Sequence, residues 1–227
     1  MPNLLIEIGV EELPEAVLDV VYSELGRLAA EVFQKERLAP LKLRVEATPR
    51  RIALFAESLP ARQPDAVEES AGPSVEKAYD PAGNPTPALS GFLKSKGVSL
   101  KEVQVKETPK GKYIFVQKKL SGKPAQAVLP AVLDEIFKGL SFPKLMRWEK
   151  ERVRLPRPIR WVAALFDKKI LPWKFAGLKA GNKSLGHRFL SSKPFTISAA
   201  DWDLYQKALR KAHVVLSLEE RIGRAHV

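Results

Sequence analysis

Leu4, Ile6 and Ile8 open an apolar strand that stops at Gly9. Pro14 suits the first turn of a helix, where its missing N–H is no loss. Val17, Val20, Val21, Leu25, Leu28 and Val32 then recur at helical spacing and give that helix one apolar face. Gly26 within it costs up to about 1 kcal/mol relative to Ala, and the helix must end before Pro40. Leu41, Leu43, Val45 and Ala47 alternate with Lys42, Arg44, Glu46 and Thr48, as in a strand with one wet face. Thr48-Pro49-Arg50-Arg51 turns the chain into a further strand, Ile52 to Ala56. Residues 1–58 thus read as a β-α-β-β unit.

Residues 59–85, rich in Pro, Glu, Ala and Gly, read as an irregular connection. Thr86-Pro87 opens a short helix carrying Leu89, Phe92 and Leu93, and Gly97 is placed to end it. Val103 and Val105 on one side of Thr108-Pro109-Lys110-Gly111, and Tyr113 and Phe115 on the other, predict a hairpin closed by a type I turn. A helix is expected from Ala125 to Lys138, with Pro130 predicting a kink or a late start. Ile159 to Phe166 and Ile170 to Phe175, split by Asp167-Lys168-Lys169, read as a hairpin; a buried helix is the alternative for the first half. Ser198 before Asp201 and Ser217 before Glu220 form two capping-box patterns. The second opens a helix with only ten residues left to Val227, which suggests a piece of a longer chain. The fold expected is α+β, mixed layers of hairpins and helices, with residues 86–227 as one basic region.

With 227 residues and 45% hydrophobic positions, the chain can build a real core. No run of about 18 apolar residues exists, and the amino terminus lacks the basic start of a secretory signal. The absence of cysteine excludes disulfides, thiol catalysis and thiolate zinc sites, and it fits a reducing cytoplasm. The net charge of +12 is uneven: residues 1–80 carry −6 and residues 81–227 carry +18. Such a basic region suits a polyanion, with nucleic acid first and an anionic membrane surface second.

The candidate chemistry is concentrated between Lys144 and Arg160, where seven of seventeen residues are basic and Trp148 and Trp161 are interleaved. Arginine grips phosphate with two donors and stacks on bases. Lys144, Arg147, Arg152, Arg154, Arg157 and Arg160 are therefore candidate RNA contacts, held extended by Pro156 and Pro158. A solvated basic loop anchored by its tryptophans is the equal alternative. Arg188, in the turn Gly186-His187-Arg188-Phe189, joins the set, and Arg50 and Arg51 are secondary candidates. His187 reads as a structural bridge. Three histidines without cysteine argue against a metal site. Gly177 to Ser184 has the wrong spacing for a phosphate loop. Glu11, Glu12 and Glu15 are accounted for by the helix macrodipole. No nucleophile, base and orienter come together, so no catalytic residue is assigned.

Several blocks together resemble one family, the β subunit of bacterial, α2β2-type glycyl-tRNA synthetase. They are Leu4-Leu5-Ile6-Glu7-Ile8-Gly9-Val10-Glu11-Glu12-Leu13-Pro14, Thr48-Pro49-Arg50-Arg51-Ile52-Ala53, Gly72-Pro73, Gly83-Asn84-Pro85-Thr86 with Gly91-Phe92, Phe142-Pro143-Lys144 with Met146-Arg147-Trp148, Arg157-Pro158-Ile159-Arg160-Trp161 and Gly186-His187-Arg188-Phe189. Val10 and Glu149 depart from the family's usual Thr and Gly. The resemblance implies the amino-terminal portion of a longer subunit that binds tRNA(Gly), partners the α subunit and acts in the cytoplasm as part of a glycine–tRNA ligase. It places ATP, Mg²⁺ and the class II active site on the α subunit, and no cofactor on this chain. Arg147-Trp148-Glu149 mimics a class II motif, but no motif-three helix accompanies it. The resemblance further implies a fold similar to the B3/B4 region of phenylalanyl-tRNA synthetase's β subunit. Two functions are open: a tRNA-binding, non-catalytic part of the ligase, or an assembly module that docks on the α subunit with little tRNA contact.

Overall fold

The computed structural model describes residues 1–109, 111–142, 146–147, 154–191 and 193–225. In chain order its first elements are β1 (Leu4–Val10), α1 (Glu15–Val20), a π-helical turn (Val21–Leu25), α2 (Gly26–Lys35), β2 (Lys42–Thr48), β3 (Arg51–Glu57), β4 (Ala66–Ser74), α3 (Val75–Ala78) and α4 (Pro87–Lys96). There follow β5 (Val103–Thr108), β6 (Gly111–Leu120), α5 (Ala125–Gly139), β7 (Met146–Arg147), β8 (Arg154–Leu155) and β9 (Ile159–Phe166). The last are β10 (Lys169–Ile170), β11 (Lys174–Phe175), β12 (Leu178–Lys179), β13 (Lys183–Ser184), β14 (Phe195–Thr196), α6 (Trp202–Lys211) and α7 (Leu218–Ala225). The chain forms two compact units, residues 1–63 with 123–227, and residues 64–122. The fold is mixed α+β.

The larger unit is built on an antiparallel sheet of order β10-β9-β1-β3-β2. Its central strand is buried along its whole length. One face carries Leu4, Ile6, Ile8, Ile52 and Leu54 into a core shared with α2 and α5. Val17, Val21, Leu25, Ala29 and Val32 supply the helical side of that core. A four-residue step drifts about 40° around a regular α-helix. The wider π turn takes up that drift and keeps Val21 and Leu25 on the sheet. The opposite face carries Leu5, Phe55 and Leu165 against Trp202, Tyr205 and Leu209 of α6. Burial on both faces explains why β1 and β9 are apolar at nearly every position rather than alternating.

The smaller unit is a three-stranded antiparallel sheet, β4-β6-β5, with Ile114 and Val116 packed on Ala78, Leu89 and Leu93. Thr86 caps α4 by accepting from the Leu89 N–H, and Gly97 ends it in the left-handed conformation. Residues 59–85 are not an irregular connection, because they supply β4 and α3. Apolar alternation is missing from β4, whose Glu68 and Glu69 are exposed, and Gly72-Pro73 fall where its register shifts. A Cβ on Gly72 would sit 2.6 Å from the Phe92 ring.

Other expectations shift in detail. Ile159–Phe166 is a strand, with Asp167 turning at φ 56° into β10. Phe175 leaves that hairpin and pairs with Leu178 instead. The helix with Pro130 begins on time, at Ala125. Asp201, not Ser198, caps α6 by accepting from the Leu204 N–H at 2.9 Å. Among the described residues no helix is long and apolar enough to cross a membrane.

Candidate functional site

Three strand registers set the chemistry of the α6-facing side of the sheet. Leu5 lies between Phe55 and Leu165, Glu7 between Ala53 and Ala163, and Gly9 between Arg51 and Trp161. The rows therefore pass from apolar to charged along the strands. Gly9 has no room for a side chain, since a Cβ would lie 1.9 Å from the Trp161 indole. Lying over that glycine, the indole reaches along β1 and donates Nε1–H to Glu7 Oε1 at 2.5 Å. The small Ala53 and Ala163 leave space above Glu7 for two further donors. Ser184 Oγ donates at 2.5 Å, and the Tyr205 hydroxyl donates to the other carboxylate oxygen.

Glu7 is fully buried, and the fourth group facing it is Arg51, only 2% exposed, with Nη1 at 3.5 Å. Arg51 also donates to the Leu185 carbonyl at 2.7 Å and to Ser184 Oγ at 3.4 Å, and its guanidinium lies 5.9 Å from the centre of the Trp161 ring. A buried ion pair is best tolerated when its remaining hydrogen-bonding capacity is met; four donors meet that of Glu7, while Arg51 keeps its Nε buried without a hydrogen-bond partner. Burial pushes the Tyr205 hydroxyl well above the usual tyrosine pKa, and the neighbouring carboxylate adds to this. The cluster ties β1, β3, β9 and α6 to Ser184-Leu185, the lead into the next loop.

That loop is held from its other end too. Gly186 packs so close to Ala212 that a Cβ would lie 2.6 Å from the Ala212 carbonyl oxygen. His187 N–H donates to that oxygen at 2.8 Å. The His187 ring accepts at Nδ1 from the N–H groups of Phe189 and Leu190, both at 3.3 Å. The ring thus holds the turn that presents Arg188 and Phe189 outward. Phe189 is 83% exposed, with the Arg188 guanidinium 5.8 Å from its ring centre.

Between this loop, the Thr48–Arg51 turn and α7 lies a cleft of about 550 Å³. Its charged lining is Arg50, Arg51, Arg188, Arg221 and a single carboxylate, Glu12, with His187 and His213 alongside. Arg221 is held in place by donating to the Tyr22 hydroxyl at 3.1 Å and the Ala47 carbonyl at 2.8 Å. Arg50 keeps a buried Nε without a hydrogen-bond partner. Among the described residues neither Arg50 nor Arg221 pairs with an acid. A smaller groove beside the cleft is lined by Glu11, Glu12, Arg157, Pro158 and Arg188. There Glu12 pairs with Arg188 at 3.3 Å and Glu11 with Arg160 at 3.2 Å. Only Glu15 falls in the first turn of α1, so ion pairing and not the helix dipole accounts for Glu11 and Glu12.

The structure therefore brings Arg50, Arg157, Arg160 and Arg188 to one side of the larger unit. Arg51 sits beneath them, its guanidinium committed to Glu7 and Leu185. Lys144 and Arg152 lie outside the described residues, as do the side chains of Arg147 and Arg154, whose backbones pair in β7–β8. Sequence reasoning missed Glu7, Ser184, Tyr205, His213 and Arg221. A glutamate inside Leu4-Leu5-Ile6-Glu7-Ile8 was the available signal for the first. Nothing local marks Arg221, which looks like any helix-surface arginine.

The sequence matches the family described as glycyl-tRNA synthetase beta subunit over residues 4–225. It is 37% identical over 219 residues to the glycine–tRNA ligase beta subunit of Moorella thermoacetica, covering 96% of this chain and 31% of that protein. The corresponding protein of Desulfitobacterium hafniense (strain DSM 10664 / DCB-2) is 38% identical over 219 residues, with the same coverage. That of Gloeothece citriformis is 35% identical over 225 residues, 97% of this chain and 31% of its own length. The chain thus spans less than a third of the length of these curated relatives.

Proposed function

Because the chain belongs to the glycyl-tRNA synthetase beta subunit family, we propose that it serves glycyl-tRNA synthesis by holding tRNA(Gly), without carrying the chemical step itself. The observation that carries this reading is the convergence of Arg50, Arg157, Arg160, Arg188 and Arg221 around one cleft and its adjoining groove. Guanidinium groups at an open surface suit a phosphate backbone, which supplies most of the affinity between proteins and nucleic acids. In this reading the protein acts in the cytoplasm, partners the synthetase α subunit, and leaves ATP, Mg²⁺ and glycine activation to that subunit. The likeness to the B3/B4 region of phenylalanyl-tRNA synthetase belongs to the same proposal.

The alternative, an assembly module whose acidic amphipathic N-terminal unit docks on the α subunit, has less support from the helix of that unit. Val17, Val21, Leu25, Ala29 and Val32 are all buried against the chain's own sheet. The outer face of that helix carries Glu24, Arg27 and Glu31, paired with one another.

Titration of tRNA with the chain across salt concentrations tests the proposal. About five cations on phosphates give a slope of log affinity against log salt near −4 to −5. Replacing Arg157, Arg160 or Arg188 by Gln should flatten the slope by about one each. A slope near zero refutes the proposal.

A further inference from the structure

We infer that the cleft beneath the Gly186–Phe189 loop takes a single unpaired nucleotide of an RNA, with its base on the Phe189 ring and its phosphate among Arg50, Arg188 and Arg221. The inference rests on the tRNA-binding reading and gives that surface a specific subsite. Double-helical RNA needs only cations at an open surface, such as Arg157 in the groove and Arg160 beside it. The cleft differs in three respects.

The first is size. At about 550 Å³ it falls within the roughly 300–1,000 Å³ typical of sites for small organic ligands. A duplex cannot enter such a volume, whereas one nucleotide turned out of its stack can. The second is Phe189. The Phe189 ring is 83% exposed at the rim of an arginine-lined cleft, with the His187 ring tilted against it at 6.2 Å, and it enters no core cluster. Arg188 at 5.8 Å and the tilted His187 ring at 6.2 Å approach the ring, and its 83% exposure leaves it a surface for a base. Unpaired bases are recognised by such stacking, and every base has a face to offer. The third is rigidity. His187 Nδ1 holds the N–H groups of Phe189 and Leu190, the Gly186 backbone packs on Ala212, and Arg221 is fixed by Tyr22 and Ala47. A platform already ordered in the free protein loses little entropy when the base arrives.

Glu12 sets the threshold for entry. Its carboxylate lines the cleft and neutralises Arg188 at 3.3 Å, so an incoming phosphate exchanges with it. The Glu7 carboxylate does not compete, being buried and bound to four donors.

The test compares two RNA hairpins with the full chain, one blunt and one ending in four unpaired nucleotides, with AMP as a third probe. The tailed hairpin should bind more tightly. Phe189→Ala should lose about 5- to 150-fold on the tailed hairpin and almost nothing on the blunt one, and Phe189→Trp should restore binding. Glu12→Gln should tighten the tailed hairpin by roughly 1.5- to 5-fold. Phe189→Ala binding both hairpins like the unaltered protein would overturn the inference while leaving the tRNA-binding reading intact. AMP binding as tightly as the tailed hairpin would also overturn it, marking a mononucleotide site. Failure of tRNA and both hairpins to bind at any salt concentration would overturn the wider reading and the subsite with it.

Discussion

Replacing Glu7 by Gln changes almost nothing in size and almost everything in electrostatics. Arg51 is 2% exposed and has no other carboxylate in reach among the described residues, so the substitution strands a buried cation. Removing one partner of a buried pair costs about 3–5 kcal/mol. The amide also offers one accepting oxygen where the carboxylate offered two, and it turns an NH₂ group either toward the Trp161 indole and Ser184 hydroxyl or toward the Tyr205 hydroxyl and Arg51 guanidinium. A buried donor left unsatisfied costs about 1–3 kcal/mol, which overlaps the first cost because the same groups relax together. The expected loss is therefore about 3–5 kcal/mol, a large share of the 5–15 kcal/mol usual for a folded protein.

Urea unfolding followed by tryptophan fluorescence reads this loss in the right place. The described tryptophans, at 161, 173 and 202, belong to the larger unit. With a slope of about 2 kcal/mol/M, the midpoint should fall by roughly 1.5–2.5 M at unchanged slope. Combining Glu7→Gln with Arg51→Met should cost less than the two single changes added together, because the second removes the stranded charge. A midpoint shift under about 0.3 M, or strictly additive losses, would show that Glu7 and Arg51 are not the coupled pair their geometry describes.

Gly9→Ala should push the Trp161 indole off Glu7, since a Cβ there lies 1.9 Å from the ring. Overpacking of this kind costs about 1–3 kcal/mol, a drop of about 2–12 °C in Tm for a chain of this size, and an unmoved Tm would show that the indole has room to shift. Tyr205 gives a pH test. Its folded pKa lies well above the unfolded value of about 10. Its contribution is therefore complete below pH 10 and is lost as the pH rises, at up to about 1.4 kcal/mol per pH unit. Tyr205→Phe should cost about 1 kcal/mol at pH 8 and flatten the decline between pH 10 and 11.5; an equally steep decline in the variant would assign it to other groups.

Much of the fold was legible because burial leaves a period in the sequence. The β-α-β-β start, the capped helix at Thr86 and the hairpin after Val103 follow from spacing and turn residues alone. Residues 66–74 were not legible. A strand with Glu68 and Glu69 exposed, a glycine chosen for a neighbouring ring and a proline at a register shift carries no alternation to detect. The candidate site was legible only as a collection of cations. Arg50, Arg157, Arg188 and Arg221 are distributed over more than 170 residues, and no local pattern says that a turn, a strand approach, a loop and a helix bring them together.

Arg50 and Arg51 show what the sequence lacks and the register supplies. Side by side they carry the same charge and invite the same reading. Neighbouring residues entering a strand point to opposite sides, and β3 begins at Arg51. Antiparallel pairing then sets Arg51 opposite Gly9, where the missing side chain admits the Trp161 indole, and one step along the same face lies Glu7. The fate of Arg51 is thus decided by a glycine and a glutamate more than forty residues earlier. It becomes the inner anchor of Leu185 and the loop beyond, while Arg50 remains at the cleft with no acid partner among the described residues. The buried pair and the open arginines therefore have different work. One holds the Gly186–Phe189 loop in place and the others meet what enters the cleft, so losing Glu7 should disorder the platform without removing a single cation from its lining.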